Sequence, residues 1–338
     1  VKRILFYSSV NSLELFKTQK FYQIDISILK DLGYDVLLSN RIFDSLLFWK
    51  YDILFSYFYR YSFFAALLAK CFGKKTYFTG GIDSLDSDYA SAFNYKIQAL
   101  FFKLCYWVAD SCIIVSQSDL KNIFKVSSLK KKLSYSEHVI NTKLFIADVP
   151  KEKIFTSIVW MGDEGNVVRK GVDKALQIFA ELKKIPEFVD YRFVIIGRKG
   201  EGEVLVRSII DKYNLKGSVE LKGEVSEEDK INLLKQSKYY FQLSLYEGFG
   251  LAALEALCAN NIIIHSGKGG LANPIYKEQL LFDIDNDFDS ELLKLVNKLA
   301  CFTPITSYDN LLEYYDIQRR KDDFEAIIVN GKSNYKLK

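Results

Sequence analysis

The chain has 338 residues, a length that predicts two domains, and with 49% hydrophobic and 26% charged residues it is not a disordered chain. Cys71, Cys105, Cys112, Cys258 and Cys301 form no Cys-x-x-Cys pair and the histidines are only His138 and His265, which excludes a disulfide scaffold, a structural zinc site and a multi-histidine metal centre. Net charge is +4, but residues 1–150 carry 19 basic against 13 acidic side chains, so an excess of +6 sits in the first half. Taken in chain order, Ile4–Ser8 reads as a strand, and Phe21–Leu32 as a helix through Ile24, Ile28, Leu29 and Leu32, stopped by Gly33. Asp35–Ser39 and Ile53–Tyr57 are strands, Phe63–Phe72 a helix ended by Gly73, Thr76–Thr79 a strand, Phe93–Ala109 a long aromatic-rich helix and Cys112–Ser116 a strand. The polar stretch Asn141–Lys153, with Pro150, reads as the linker. Beyond it come strand Ser157–Trp160, helix Val172–Lys183, strand Arg192–Ile196, helix Val204–Tyr213 and strand Val219–Lys222. Helix Ser226–Gln236 follows, with Ser226 as N-cap and Asp229 three residues on, then strand Tyr239–Ser244, helix Leu251–Ala259 and strand Ile262–His265. Such alternation predicts an α/β protein with two doubly wound parallel sheets, and ligands outside the carboxyl ends of their strands.

No run is long enough to cross a bilayer: the longest without charge, Ala256–Gly267, has 12 residues against the roughly 20 required. Lys2 and Arg3 precede only the short run Ile4–Tyr7 with no small-residue cleavage site, so the N-terminus reads as a buried strand rather than a signal peptide, and a cytoplasmic protein is expected.

The most informative stretch is Ser244–Gly270. Glu247 ends a strand, Gly248, Phe249, Gly250 and Leu251 turn the chain, and a helix carries Glu255. Glycines let backbone N–H groups approach a ligand, and a helix N-terminus attracts a pyrophosphate. A carboxylate one turn in suits a ribose diol, and one before the turn suits sugar hydroxyls. By these residues alone a tight turn with two exposed glutamates is an equal reading.

This stretch resembles the signature of the retaining glycosyltransferases of family 4, glycosyltransferases group 1, which have the two-domain GT-B architecture. Glu247 and Glu255 stand eight apart around Gly-Phe-Gly-Leu, the pair Gly269-Gly270 follows 14 and 15 positions after Glu255, and Ser244 stands three before Glu247. Lys170-Gly171 resembles the family's Lys-Gly helix opening, whose lysine binds donor phosphates; the segment Val219–Val225 matches in order, which makes Gly223 and Val225 candidates for the nucleotide base. In the first half, Thr79-Gly80-Gly81-Ile82-Asp83 resembles a loop where relatives carry His-Gly-x-Asp. There Thr79, Gly80, Gly81 and Asp83 are the acceptor-side candidates, and a turn with a helix-capping Asp is the equal alternative. The sequence departs from the family where its Gly-Arg reads Gly162-Asp163, with Arg169 beside Lys170 as a substitute, where Thr79 replaces the histidine, and where Asn260 replaces a glycine.

The resemblance implies two Rossmann-like domains facing across a cleft: 1–148 binding acceptor, 149–308 binding nucleotide-sugar, and 309–338 packing back on the first. It implies sugar transfer with retained configuration and no metal or other cofactor. Catalysis would fall to Glu247, Lys170 and Arg169. The donor would be held by Gly223, Val225, Gly248, Phe249, Gly250, Leu251 and Glu255. UDP is the first expectation for the nucleotide, a lipid-linked or oligosaccharide acceptor for the partner, and bacterial surface-polysaccharide assembly at the inner membrane face for the setting. A non-catalytic nucleotide-sugar-binding relative and a GT-B sugar-nucleotide epimerase are the alternatives.

Other signals are weaker. Asp86-Ser87-Asp88 reads as a loop rather than a metal-binding Asp-x-Asp, and Asp283, Asp285, Asp287 and Asp289 fail the calcium-loop pattern at Phe288 and Lys294. The spacing of Gly197, Gly200 and Gly202 suits a phosphate loop or a plain one. His265 reads as a core residue. The lysines Lys121, Lys125, Lys130, Lys131 and Lys132 read as a solvated helix face or as a patch for phosphates, weakly holding an anionic membrane; no nucleic-acid recognition motif appears. The aromatics of Tyr57–Phe64 and Phe93–Trp107 read first as core, second as membrane-surface contacts.

Overall fold

Apolar runs with side chains alternating between two faces become buried parallel strands when helices cover both faces. In β1 (Arg3–Ser8), Leu5 and Tyr7 enter one core while Ile4 and Phe6 enter another. The computed structural model describes residues 1–128, 130–146, 149–302 and 309–332. These fall into two compact units, Val1–Ile140 with Tyr314–Lys338, and Asn141–Glu313. The expected domain edges at residues 148 and 308 lie outside the described residues; the division between units comes at 140/141 and 313/314.

After β1 the first unit continues with α1 (Leu15–Thr18), α2 (Lys20–Asp31), β2 (Asp35–Ser39), β3 (Ile53–Tyr57), α3 (Ser62–Cys71), β4 (Lys75–Thr79), α4 (Ala92–Val108), β5 (Ser111–Ile114), α5 (Gln117–Val126) and β6 (Leu133–Tyr135). Its six strands are parallel in the order β2-β1-β3-β4-β5-β6. One face packs Ala65, Ala66 and Ala69 of α3, Phe102 and Cys105 of α4 and Ile123 of α5; the other packs Ile24, Ile28 and Leu29 of α2.

The second unit runs β7 (Glu152–Ile158), α6 (Glu164–Arg169), α7 (Val172–Leu182), β8 (Arg192–Ile196), α8 (Gly202–Lys212), β9 (Val219–Gly223), α9 (Glu227–Gln236), β10 (Ser237–Gln242), α10 (Leu251–Cys258), β11 (Ile262–His265), β12 (Leu280–Leu281), α11 (Phe288–Cys301) and α12 (Asp309–Tyr314). Its strand order is β12-β11-β10-β7-β8-β9, again all parallel. Phe155, Phe193, Ile195, Phe241 and Ile264 meet α7, α8 and α11 on one face, and Ile154, Val194 and Ile196 meet Leu233 of α9 on the other. The chain then returns to the first unit. In α13 (Ile317–Phe324) Phe324 is buried with Ile4, Phe55 and Ile28, followed in the same core by Ile327 and Ile328.

Several expectations need correction. The linker ends at Lys151, not Lys153, because Glu152 and Lys153 form the exposed lead-in of β7, whose Ile154–Ser157 are buried; β7 stops at Ile158, before Trp160. The helices α1, α5, α6 and α11 and the strands β6 and β12 are not in the expected series. In α6 only six residues are helical, started by Asp163 accepting from Asn166 N–H at 2.6 Å. Trp107 and Phe93, read first as core, are 68% and 72% exposed, whereas Phe102 and Tyr106 of the same helix are buried.

Candidate functional site

The candidate site lies at the carboxyl end of β10 in the second unit. Gln242 ends the strand, and the chain runs through Ser244 to Glu247 before turning into α10. Gly250 makes the turn at φ 87°, a left-handed conformation that side chains resist, and it stands as N-cap of α10. The Gly269-Gly270 pair clamps this turn. Gly270 N–H donates to Glu247 C=O at 2.6 Å. A Cβ on Gly269 would lie 2.2 Å from that carbonyl oxygen, and one on Gly270 would lie 2.5 Å from Phe249 Cα.

Three donors converge on one oxygen of Glu247. Its Oε1 accepts from Lys170 Nζ at 2.5 Å, Gln242 Nε2 at 2.8 Å and Ser244 Oγ at 2.8 Å. Among the described residues no donor meets Oε2, and the pair stays open to solvent, Lys170 at 23% and Glu247 at 12% side-chain exposure. Lys170 reaches this point because Gly171, at φ 68°, presses against β10's continuation: a Cβ there would sit 2.0 Å from Leu243 O. Leu245 N–H donates to Arg169 C=O at 2.8 Å, a second stitch between the Lys-Gly turn and the Glu247 loop. The Arg169 side chain takes a different partner, donating to Asn166 Oδ1 at 2.7 Å, so the two adjacent cations do not share Glu247.

Glu255, one turn into α10, is buried and accepts from Lys230 Nζ at 2.8 Å; Lys230 also meets Glu227 at 3.1 Å. Burial pulls the Lys230 ammonium down, but the carboxylates of Glu255 and Glu227 outweigh it and raise its pKa. Lys230 and Gln242 are partners that sequence reasoning missed. Gly223 ends β9 at φ 75°, next to the Lys199 side chain, and its C=O accepts from Gly197 N–H at 2.8 Å. Val225 packs against the group formed by Ile154, Val194, Ile196 and Leu233. Packing accounts for Gly197, Gly200 and Gly202: a Cβ on each would come within 2.4 Å of the carbonyl oxygens of Val159, Met161 and Asp163 respectively.

His265 is a satisfied core residue. Its Nε2 lies 3.1 Å from Tyr276 C=O, its Nδ1 accepts from Gly267 N–H, and burial lowers its pKa to about 4, so the ring is neutral.

In the first unit, Thr79 ends β4 with its side chain buried and Oγ1 3.5 Å from the Arg320 guanidinium. Gly80, at φ 101°, packs under Tyr57 and Phe58, and Asp83 is exposed at the start of a single 3₁₀ turn. Sequence reasoning also missed the carboxyl beneath this loop. Asp119 is fully buried, accepts from Ile82 N–H at 3.3 Å, and has no hydrogen-bond donor for Oδ2 among the described residues. Burial, reinforced by the charge of Asp83, raises its pKa to about 8. Arg320, also buried, forms two bonds to Asp25 at 2.7 and 2.8 Å.

Residues 165–299 match the family described as Glycosyl transferases group 1, a span that holds Lys170, Gly223, Glu247, Glu255 and Gly269-Gly270. A GDP-mannose:cellobiosyl-diphosphopolyprenol alpha-mannosyltransferase of Xanthomonas oryzae is 32% identical over 163 residues, 42% of this chain and 40% of that protein. The phosphatidylinositol N-acetylglucosaminyltransferase GPI3 subunit of Saccharomyces cerevisiae is 27% identical over 129 residues, 38% of this chain and 28% of that one. The matches thus span less than half the length of these curated relatives. Among solved structures, Anabaena Alr3699/HepE in complex with UDP superposes with a TM-score of 0.73 at 12% identity over 97% of this chain and 100% of that one. Sucrose-phosphate synthase of Thermosynechococcus elongatus gives 0.65 at 16% identity, covering 98% and 97%. The fold is therefore GT-B, with two Rossmann-like units. No helix among the described residues is long and apolar enough to cross a membrane.

Proposed function

We propose that the protein is a glycosyltransferase that moves a sugar from a nucleotide-sugar, UDP-linked in the first instance, to an acceptor with retention of anomeric configuration, in the manner of family 4. The observation that carries this reading is the convergence of Lys170, Gln242 and Ser244 on Glu247 Oε1 beside the Gly250 turn into α10. It leaves Glu247 Oε2 for a sugar hydroxyl and the α10 N-terminus for the diphosphate, and we assign Glu255, held by Lys230, to the ribose diol.

In the step, the bond between the sugar's anomeric carbon and the diphosphate oxygen breaks and a bond to the acceptor oxygen forms on the same face. A donor phosphate oxygen takes the acceptor's proton, so no protein base is assigned. Lys170, and Arg169 once released from Asn166, stabilise the negative charge on the leaving diphosphate, and the helix N-terminus adds its partial positive charge. Gly223 and Val225 border the base, and Gly248, Phe249 and Leu251 line the turn. Neither a metal nor another cofactor enters the scheme. The first unit binds the acceptor through Gly80, Gly81 and Asp83; Thr79 contributes from beneath, through backbone position. A lipid-linked or oligosaccharide acceptor in bacterial surface-polysaccharide assembly, met at the inner face of the cell membrane, is the proposed setting.

The test is a screen of purified protein with UDP- and GDP-sugars, reading transfer to polyprenyl-diphosphate-linked and free oligosaccharide acceptors, with the product's anomeric configuration assigned by NMR. Inverted product overturns retention. Donor turnover to an isomeric nucleotide-sugar without acceptor would make the protein an epimerase. Binding without turnover of any donor would make it a non-catalytic relative.

A further inference from the structure

Helices α3 and α4 together contain three lysines, Lys70, Lys96 and Lys103, and no aspartate or glutamate. The inward side of α4 is already filled by Gln98, Phe102, Cys105 and Tyr106. Its outward side nevertheless carries Phe93, Leu100 and Trp107, which are 72%, 56% and 68% exposed. Exposed Lys96 and Lys103 stand between them in sequence. At 100° and 1.5 Å per residue these five positions fall within an arc of about 80° and a length of about 21 Å, a single stripe of alternating apolar and cationic side chains. The stripe is wider than one helix. At the start of α3, exposed Tyr61, its N-cap, and Phe64 bring their rings to 6.5 and 6.2 Å from Phe101. At the C-terminal end of α4, Lys132 Nζ donates to the carbonyls of Tyr106 and Trp107, exposed Lys131 lies beside it, and Lys130 caps the Phe124 ring at 4.8 Å.

We propose that this face is a docking surface for an anionic lipid bilayer, on which α4 lies in the plane of the headgroups. Phe93, Leu100 and Trp107 enter the boundary between headgroups and acyl chains, while Lys96 and Lys103 extend along the surface to the phosphates. Charge selects this occupant. A second copy packed α4 against α4 about a twofold axis would bring lysine against lysine, Lys96 facing the other copy's Lys103, with no carboxylate on either helix to neutralise them. An anionic bilayer supplies the opposite charge at every position and accepts the aromatic side chains between its headgroups. The lysines near Lys121–Lys132 then form the rim of the surface rather than the surface itself. This inference specifies where the membrane setting proposed above would be met, but it stands on the α3–α4 face and not on sugar transfer.

The test is co-sedimentation with vesicles of phosphatidylcholine alone and of phosphatidylcholine with phosphatidylglycerol, at low and high salt, with UDP affinity measured by calorimetry on every variant. Wild type is expected on the anionic vesicles at low salt and off the neutral ones. Lys96→Gln with Lys103→Gln should lower partitioning about 10- to 30-fold, since each lysine near an anionic surface contributes about a factor of five. Phe93→Ser, Leu100→Ser and Trp107→Ser together should abolish it, with UDP affinity unchanged in both variants. In a Trp49→Phe, Trp160→Phe background, the remaining Trp107 emission should shift to the blue on anionic vesicles only. Absence of wild-type sedimentation, equal binding to neutral vesicles, or unchanged binding of the triple variant overturns the proposal. A wild-type dimer that the triple variant dissociates assigns the face to a second copy instead. Loss of UDP binding in wild type bears on the transferase reading and leaves the vesicle result standing.

Discussion

Glu247 has one oxygen crowded by three donors and one without any among the described residues, which makes Lys170 the side chain with two duties. An ammonium carries three donors, so it can keep Glu247 in place and still meet a phosphate. Lys170→Ala should weaken UDP binding roughly 10- to 150-fold, the span for losing a hydrogen bond to a charged partner. Calorimetry checks it, and unchanged affinity removes Lys170 from the phosphate. Glu255 invites a sharper comparison. Lys230 holds it now, and a ribose diol would share its oxygens. Glu255→Ala should therefore weaken UDP binding more than binding of the 2′,3′-dideoxy analogue; equal losses would leave Glu255 as a structural carboxylate held by Lys230. Asp119 offers a stability measurement. Its pKa is near 4 in an unfolded chain and about 8 when folded, so folding favours its protonated form. The stability this adds is full below about pH 4 and is lost as pH rises to about 8. Asp119→Asn, which keeps an acceptor for Ile82 N–H, should flatten that loss. Melting temperatures of the two proteins at pH 4 and pH 9 should converge at the lower value and favour the variant at the higher; parallel curves would refute the protonated Asp119.

Glycines made the site legible at the level of turns and loops. The Glu247–Gly250 turn, Gly171 and the Gly269-Gly270 pair are places where a Cβ meets backbone or where φ is positive, so the residue type announces the geometry. The parallel sheets followed from the alternation of apolar strands and helices, because burial on both faces leaves little freedom in sequence, whereas their strand order had no mark in the sequence. What stayed hidden depends on tertiary contact. Lys230 meets Glu255 across 25 residues and Arg320 meets Asp25 across 295, and neither basic residue differs from a surface one when read alone. The start of β7 was lost because its charged lead-in looks like the linker before it. On α4, apolar periodicity marked a helix but not which aromatics faced outward, since Phe and Trp occupy both sides. Two glycines separate backbone strain from steric exclusion. Gly33 has φ 86° with nothing within 4 Å of a Cβ, whereas Gly269 has φ 58° with Glu247 O at 2.2 Å. Gly33→Ala should cost about 1–2 kcal/mol, the left-handed penalty alone. Gly269→Ala should cost more and should also remove UDP binding, because the Glu247–Phe249 backbone must move. Denaturant melts with paired calorimetry distinguish them; equal costs would mean that the turn yields freely.

The second unit is one continuous stretch of chain, while the first is completed only by residues from Tyr314 onward. Its core therefore depends on contacts between its beginning and its end, of which Arg320 with Asp25 is the most demanding. Both side chains are fully buried; Arg320 also donates to the C=O of Glu137 at 3.2 Å, and Tyr57 OH donates to Asp25. Two charges removed from water are tolerated only while each keeps the other, and removing one partner costs about 3–5 kcal/mol because the survivor stays buried and uncompensated. Arg320→Met should therefore destabilise the first unit by about that amount, and adding Asp25→Asn should restore part of it by removing the stranded charge. The second unit shares none of these contacts. Hydrogen exchange read by mass spectrometry should show protection falling in β1 and β3 of Arg320→Met while β10 and β8 keep theirs, and UDP affinity should be unchanged. Equal loss of protection in β10 would mean that the two units unfold as one, and the nucleotide-binding half would then depend on a residue that lies outside it.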